Sequence, residues 1–308
     1  MPSFQCKRMC ILMISAHYRT GFICIFQKKQ RAMKKFLVPT DFSDTAKNAA
    51  LYAAQVVAGV KDAQIILYNV SDKITAGTDG SPLTESDDDR ALILTQALEQ
   101  LKTEMLATAS AVQITCVIDA GTSLVETLER YVRHHGIDIV IMGITGATRL
   151  EQIFMGSNAL DMVNKAVCPV IIVPPDTQYK QIKNVVFASD FKEVDSTTPI
   201  APIKAVLDIF KPNLHIVNVD SEHYVELTDD YKLERTKLEN MLKDYNPQFY
   251  FIRFFDFQEA ISQFTHDKNI DLILIVPKRN AFLSGLFKTS HTKKLAYHSH
   301  VPIVAIHE

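Results

Sequence analysis

A buried strand that runs through a glycine-bearing loop into a helix constrains this chain more than any other feature. Residues 139–142 are all apolar, and Gly143, Gly146, Gly156 and Ser157 follow them. Glycine permits left-handed turns and lets an anion approach backbone N–H groups closely. A helix that starts with glycine and serine presents free N–H donors and the positive end of its dipole. The stretch is therefore a candidate phosphate cradle, while glycines that serve only turns remain the alternative.

Two common phosphate-binding motifs are absent from the sequence. No lysine follows Gly156, so the motif G-x-x-x-x-G-K-[ST] is missing, and no G-x-G-x-x-G occurs either. The sequence therefore disfavours a P-loop kinase and a dinucleotide-dependent dehydrogenase.

Composition predicts a globular protein without a nucleic-acid or membrane partner. The chain has 308 residues, of which 47% are hydrophobic and 22% charged, and this suits two domains of ordinary size. A net charge of -2 gives no general attraction to nucleic acid or anionic lipid. No apolar run reaches the length of about 18 residues that a membrane span needs. The five cysteines are scattered without a C-x-x-C pair, which favours the cytoplasm.

Residues 1–32 differ from the rest of the chain. They hold six basic residues, three of the five cysteines and no acidic residue, whereas a strand pattern begins directly after Met33. We expect this segment to be a poorly ordered extension, or the product of a start codon assigned upstream of Met33. A signal peptide is the alternative, because Lys7 and Arg8 precede a short apolar stretch.

The pattern of the first half predicts a doubly wound α/β fold. Buried strands are expected at residues 36–39, 65–70, 113–117, 138–142 and 170–173, with helices between them. Ser43 or Asp44 would cap the first helix, and residues 71–89 are expected to form an acidic surface loop. This alternation favours a parallel sheet with helices on both faces, whose ligands bind beyond the carboxyl ends of the strands. Asp41 would suit a ribose hydroxyl or an adenine edge, since a carboxylate repels phosphate.

Three motifs of the first half together resemble the universal stress protein family. They are the turn at residues 39–43, the spacing G-x2-G-x9-G-S from Gly143, and Cys168-Pro169-Val170 before the fifth strand. The resemblance covers residues 34–175, and its glycine spacing is characteristic of the ATP-binding members of the family. It implies a Rossmann-like sheet with strand order 3-2-1-4-5 and pairing of two domains through their fifth strands.

The resemblance also implies a site for ATP, with or without Mg²⁺. The aspartate after the first strand would contact the nucleotide, the second strand would offer backbone to adenine, and the glycine loop would hold ribose and phosphates. The residues expected to bind the nucleotide are Pro39, Thr40, Asp41, Val70, Met142, Gly143, Gly146, Gly156, Ser157 and Asn158.

The second half of the chain repeats the first. Residues 185–191 and 218–219 repeat residues 36–42 and 69–70 at an offset of 149, and residues 271–274 and 301–303 repeat 138–141 and 168–170 at an offset of 133. A repeat of this length is a whole domain. We therefore predict two tandem five-stranded sheets, in domains that cover residues 33–176 and 182–308.

The glycine loop does not survive in the second copy. The matching positions carry side chains where the first copy has none: Val276 for Gly143, Arg279 for Gly146 and Thr289 for Gly156. The sequence thus predicts one nucleotide site per chain, in the first half. Lys278, Arg279 and Lys288 could hold a different anion, but solvated surface charge is the simpler interpretation.

We expect a stress-response or signalling protein whose two domains form an internal pseudo-dimer, with a homodimer also open. No general base or Walker-type lysine is apparent, so no catalytic residue is predicted. A slow ATPase or self-phosphorylating protein, and an interaction scaffold without a ligand, are the alternatives. His291, His298 and His300 share no regular spacing and no neighbouring carboxylate or cysteine, so no metal site is predicted either.

Overall fold

Strands and helices alternate through both halves of the chain. The computed structural model describes residues 33–72, 87–144, 157–220, 228–253, 257–276 and 301–307. The first half contains β1 (Lys34–Pro39), α1 (Asp44–Ala58), β2 (Ala63–Asp72), α2 (Asp87–Thr108), β3 (Gln113–Gly121), α3 (Leu124–His135), β4 (Ile139–Gly143), α4 (Ser157–Asn164) and β5 (Val170–Val173).

The second half follows the same order with a divided first helix. It contains β6 (Asn184–Ala188), α5 (Val194–Thr197), α6 (Ile200–Phe210), β7 (Asn213–Asp220), α7 (Asp229–Leu242), a short 3₁₀ turn (Lys243–Tyr245), β8 (Gln248–Arg253), α8 (Phe257–Asp267), β9 (Leu272–Ile275) and β10 (Ile303–Ala305). None of the helices in the described ranges is long and apolar enough to cross a membrane.

The described strands form one continuous sheet, where the sequence predicted two tandem five-stranded sheets paired through their fifth strands. Its ten strands lie in the order β3-β2-β1-β4-β5-β10-β9-β6-β7-β8. All neighbours are parallel except β5 and β10, which pair antiparallel with Ile303 opposite Ile172. A strand at the edge of a sheet leaves a row of backbone groups unpaired, so joining the two edges satisfies both.

Two apolar layers cover the sheet. One contains buried side chains of α1, α2, α6 and α7, and the other those of α3, α4 and α8. The central strands are buried on both faces, as the apolar runs in their sequences require for a parallel sheet. This arrangement leaves the carboxyl ends of β1, β2 and β4 free to carry polar residues.

Local signals account for several helix boundaries. The Ser43 side chain accepts a hydrogen bond from the Ala46 N–H and is therefore the cap of α1, which decides between the two residues that the sequence offered. Ser123 caps α3 in the same way, and Gly136 ends that helix in the left-handed region with φ 61°. Both ends of the predicted loop at residues 71–89 belong to other elements, because β2 extends to Asp72 and α2 begins at Asp87, while residues 73–86 lie outside the described ranges. Acidic residues stabilise the first turn of a helix through its dipole.

Candidate functional site

A cleft of about 190 Å³ lies at the carboxyl ends of β1, β2 and β4. The elements around it are the turn after β1, the first turn of α1, the end of β2 and the starts of α3 and α4. The residues that line it are Pro39, Thr40, Asp41, Thr45, Ala46, Asn69, Val70, Leu124, Met142, Gly143 and Asn158.

The turn after β1 is tied firmly to β2. The Thr40 N–H donates to the Tyr68 carbonyl oxygen at 2.8 Å, and the Thr40 hydroxyl oxygen accepts from the Phe42 N–H at 3.0 Å. These bonds let Phe42 adopt a φ of 64°, a conformation that is uncommon for a bulky residue. The turn therefore projects Asp41 from a fixed backbone.

Asp41 itself is exposed and anchored on one side. Its Oδ1 atom accepts hydrogen bonds from the Ser43 N–H at 3.0 Å and from the Ser43 hydroxyl at 2.6 Å. Its Oδ2 atom makes no hydrogen bond with the described residues, so it is available to a ligand. A carboxylate oxygen accepts hydrogen bonds only, which suits ligand hydroxyl or amino groups.

Asn69 also lines the cleft, and sequence reasoning missed it. The residue is only 6% exposed, and its Nδ2 atom donates to the Thr40 carbonyl oxygen at 2.8 Å. Its Oδ1 atom is buried and has no hydrogen-bond partner among the residues that the structure describes. A buried polar atom without a partner is unusual in a native protein. The sequence signal that could have identified Asn69 was its position next to the predicted binding residue Val70.

Gly143 is required by packing as well as by its place in the cleft. A Cβ atom at this position would lie 2.5 Å from the Thr45 carbonyl oxygen, closer than real Cβ atoms come to backbone. The end of β4 can thus pass the first turn of α1 only because residue 143 has no side chain. The glycine that the sequence assigned to a phosphate cradle therefore has a structural reason too.

The charge of the cleft is acidic on its described walls. Asp41 is the only ionisable residue among the side chains known to line it. Among the lining residues a phosphate group would meet only uncharged donors, such as the side chains of Thr45 and Asn158 and the backbone N–H groups at the start of α4. This helix begins at Ser157, next to the lining residue Asn158.

Seven of the ten predicted binding residues come together around this cleft. They are Pro39, Thr40, Asp41, Val70, Met142, Gly143 and Asn158. Ser157 begins α4, while Gly146 and Gly156 lie outside the described residues. Three further lining residues were not predicted. Thr45 and Ala46 lie in the first turn of α1, and Leu124 is the first residue of α3.

The second half reproduces the turn but not the surrounding elements. The Asp190 Oδ1 atom accepts from the Lys192 N–H at 3.2 Å, and the Asn218 Nδ2 atom donates to the Ser189 carbonyl oxygen at 2.9 Å. Within the described part of the chain, Asn218 Oδ1 is buried without a partner, as Asn69 Oδ1 is. The turn geometry is thus a property of the repeat.

Two differences separate the halves at the cleft. The counterpart of α1 is divided into α5 and α6, because Pro199 has no N–H with which to continue a helix. Val276, at the position of Gly143, is buried with 8% exposure. These features occur together, as expected if a side chain at this position cannot pass an unbroken first helix.

A polar network joins β2 to β3 and α3 beside the apolar layer that Tyr68 shares with the cleft residues Val70 and Leu124. The Tyr68 hydroxyl donates to Asp119 Oδ2 at 2.7 Å, and Arg130 donates to the same oxygen at 3.2 Å. Burial alone would raise the pKa of Asp119, but the bonds from Tyr68, Arg130 and the Ala120 N–H together hold it below its usual value. Asp119 is therefore a carboxylate that ties β3 to β2 and α3.

No group of three or more histidine, cysteine, aspartate or glutamate side chains in the described ranges could hold a metal ion. The three histidines considered in the sequence, His291, His298 and His300, lie outside those ranges.

Comparison with known proteins identifies the family. A model described as the universal stress protein family matches residues 33–174. Universal stress protein MJ0531 of Methanocaldococcus jannaschii is 30% identical over 171 residues, which are 54% of this chain and 96% of that protein. The chain belongs to the universal stress protein family.

Other members extend the likeness. Universal stress protein MJ0577 of the same organism is 28% identical over 156 residues, or 46% of this chain and 94% of that protein. The crystal structure of a universal stress protein from Archaeoglobus fulgidus covers 90% of this chain and 97% of its own, with a TM-score of 0.63 and 18% identity. At this identity the likeness concerns the fold alone, and it extends over both halves of this universal stress protein.

Proposed function

We propose that this universal stress protein binds ATP in the cleft of its first half and acts in a stress response or signalling pathway as an internal pseudo-dimer. One observation carries the proposal: the turn after β1, the end of β2, the end of β4 and the start of α4 meet around a single cleft. These are the segments in which the family resemblance placed the nucleotide contacts.

The chemistry of the cleft suits a nucleotide laid with its sugar and base toward the first two strands. Val70 and Leu124 offer apolar surface for a base, and Asp41 Oδ2 offers an acceptor for hydroxyl or amino groups. The phosphates would extend toward the start of α4, away from the carboxylate. The described part of the cleft is smaller than a typical ligand pocket of about 300–1,000 Å³, and Gly146 and Gly156 are proposed to complete it.

The second half is proposed to bind no nucleotide. Val276 is buried where the first half has Gly143, and the first helix is divided. The two halves meet through β5 and β10, whose antiparallel pairing supports the pseudo-dimer interpretation. A partner would then meet a molecule with two similar halves, of which only the first holds a nucleotide.

Calorimetric titration of ATP and Mg²⁺ into the 308-residue chain tests this function. We expect about one nucleotide per chain, with affinity abolished by Gly146→Val or Gly156→Val and weakened by Asp41→Ala. Asp190→Ala is the matched control in the second half and should leave affinity unchanged. A ratio of two would overturn the one-site proposal, and no binding, confirmed by equilibrium dialysis, would favour a scaffold without a ligand.

Hydrolysis is tested separately with labelled ATP. The proposal is binding without appreciable turnover, because no described residue of the cleft offers a base or a lysine beside a γ-phosphate. Release of labelled phosphate that Gly156→Val abolishes would instead establish a slow ATPase, and label retained on the protein would establish self-phosphorylation.

A further inference from the structure

A residue outside the cleft connects several of the residues that line it. Ser43 does not line the cleft, yet its side chain contacts Asp41, Thr45 and Ala46, all of which do. We propose that Ser43 is a positioning residue that holds the Asp41 carboxylate in the orientation a nucleotide requires. The inference rests on the proposed nucleotide binding in this cleft.

The hydroxyl of Ser43 has its hydrogen-bonding capacity fully used. A hydroxyl has one proton to donate and two lone pairs. The proton goes to Asp41 Oδ1 at 2.6 Å, since a carboxylate can only accept. The lone pairs accept from the Ala46 N–H at 3.3 Å and from the Thr45 hydroxyl, whose oxygen lies 3.2 Å away and must therefore be the donor.

These contacts give the two oxygens of the Asp41 carboxylate different roles. The backbone N–H and the hydroxyl of Ser43 both donate to Oδ1, so this atom is held in place. Oδ2 is left for the ligand. Without the hydroxyl, Asp41 would be held by the backbone N–H of Ser43 alone, and the cost of ordering its carboxylate would oppose binding more strongly.

The second half has lost this arrangement. Lys192 stands at the position of Ser43 and has no hydroxyl group. The residue that precedes α5 is Glu193, which has a φ of 47° and makes no side-chain cap. The half proposed to bind no nucleotide is thus also the half without a hydroxyl linking its aspartate to its first helix.

Substitutions at Ser43 can separate capping from positioning. Ser43→Thr keeps both roles, and ATP affinity should stay within about 2-fold of the wild type. Ser43→Asp keeps a good helix cap but cannot donate to Asp41 and adds a like charge beside it, so affinity should fall roughly 10-fold or more. Thr228→Ala removes the corresponding cap of α7, far from the cleft, and should leave affinity unchanged.

A double-mutant cycle tests whether Ser43 acts through Asp41. Titration of ATP and Mg²⁺ into the full chain should show a loss of roughly 10-fold for Ser43→Ala. The same change in an Asp41→Ala background should cost less than about 2-fold, because the partner is already absent. Thermal unfolding of every variant verifies that the fold is retained.

The outcomes separate this inference from the proposed function. Two results would overturn the positioning role alone while the wild type still binds ATP. One is an affinity of Ser43→Asp equal to that of the wild type, and the other is an equal loss from Ser43→Ala with and without Asp41. Absence of ATP binding by the wild type would overturn the proposed function and the positioning role with it.

Discussion

At Gly143 the backbone of β4 passes so close to α1 that side-chain size decides whether the two can pack. The missing Cβ would lie 2.5 Å from the Thr45 carbonyl oxygen. Gly59 provides a contrast, because its φ is -83° and the nearest atom to its missing Cβ is 3.4 Å away.

We therefore expect opposite effects from the same substitution at these two glycines. Gly143→Ala should lower the free energy of unfolding by about 1–3 kcal/mol, because either β4 or α1 must move. Gly59→Ala should raise it by about 0.4–1 kcal/mol, since alanine restricts the unfolded chain without strain. Denaturant unfolding measures both, and a neutral Gly143→Ala would show that the helix yields easily.

Asn69 and Asn218 form a natural pair of test and control. Each donates one hydrogen bond to a turn carbonyl, and its buried Oδ1 atom finds no partner in the described ranges. Replacing either by alanine removes a bond worth about 1 kcal/mol but also removes the cost of the unpaired oxygen, so both changes in stability should be small and similar.

The two asparagines should differ in their effect on the ligand. Asn69 holds Thr40, which lines the cleft, so Asn69→Ala should weaken ATP binding several-fold, while Asn218→Ala should not. Parallel titration and thermal unfolding of the two variants give the comparison. Equal affinities would mean that Asn69 only supports the turn, as its counterpart does.

At the scale of elements, Asp119 joins a strand to a neighbouring strand and a helix. Hydrogen bonds from Tyr68 and Arg130 stabilise its charged form and lower its pKa despite partial burial. In the unfolded chain the pKa of an aspartate is about 3.9. The resulting stabilisation is therefore fully present above that pH and is lost as the pH falls through the lower value of the folded protein.

Substitution of Asp119 should accordingly reduce the pH dependence of stability. Asp119→Asn should be less stable than the wild type at pH 7, and the difference should shrink on acidification below about pH 4. Unfolding midpoints measured across this range provide the test. Asp229→Asn, at a side chain that is 98% exposed, is the control, and an equal change there would argue against the network.

At the scale of the whole molecule, the short pairing of β5 with β10 joins the halves. Three residue pairs connect the strands, and both are buried along their length. A fragment of residues 33–176 would lack β10 and expose the apolar edge of β5.

We expect that fragment to pair with a second copy through the same edge. Its β5 would then replace the missing β10 and restore the backbone bonds and apolar cover. Analytical ultracentrifugation should give twice the mass of the fragment. A folded fragment that stays monomeric at high concentration would show that β5 tolerates exposure and that the halves do not depend on each other.

The sequence by itself determined the features that depend on neighbouring residues. Alternation of apolar runs with helical segments predicted an α/β fold. The boundaries of α3 follow residue type as well, because Ser123 caps its start and Gly136 its end. Part of the turn at Thr40 and Asp41 is likewise local, since two of its hydrogen bonds join residues only two positions apart, although its ties to Tyr68 and Asn69 come from β2. Short-range preferences of this kind depend only on residues that are close in sequence.

Only the tertiary structure decided which distant residues meet. Asn69 and Leu124 meet Asp41 at the cleft because β2 ends, and α3 begins, at the same edge of the sheet. The close contact between Gly143 and Thr45 depends on how a helix packs over a strand, and no local pattern signals it. The family resemblance implied pairing through the fifth strands, but the register of that pairing, with Ile303 opposite Ile172, depends on how the two strand edges satisfy their backbone groups.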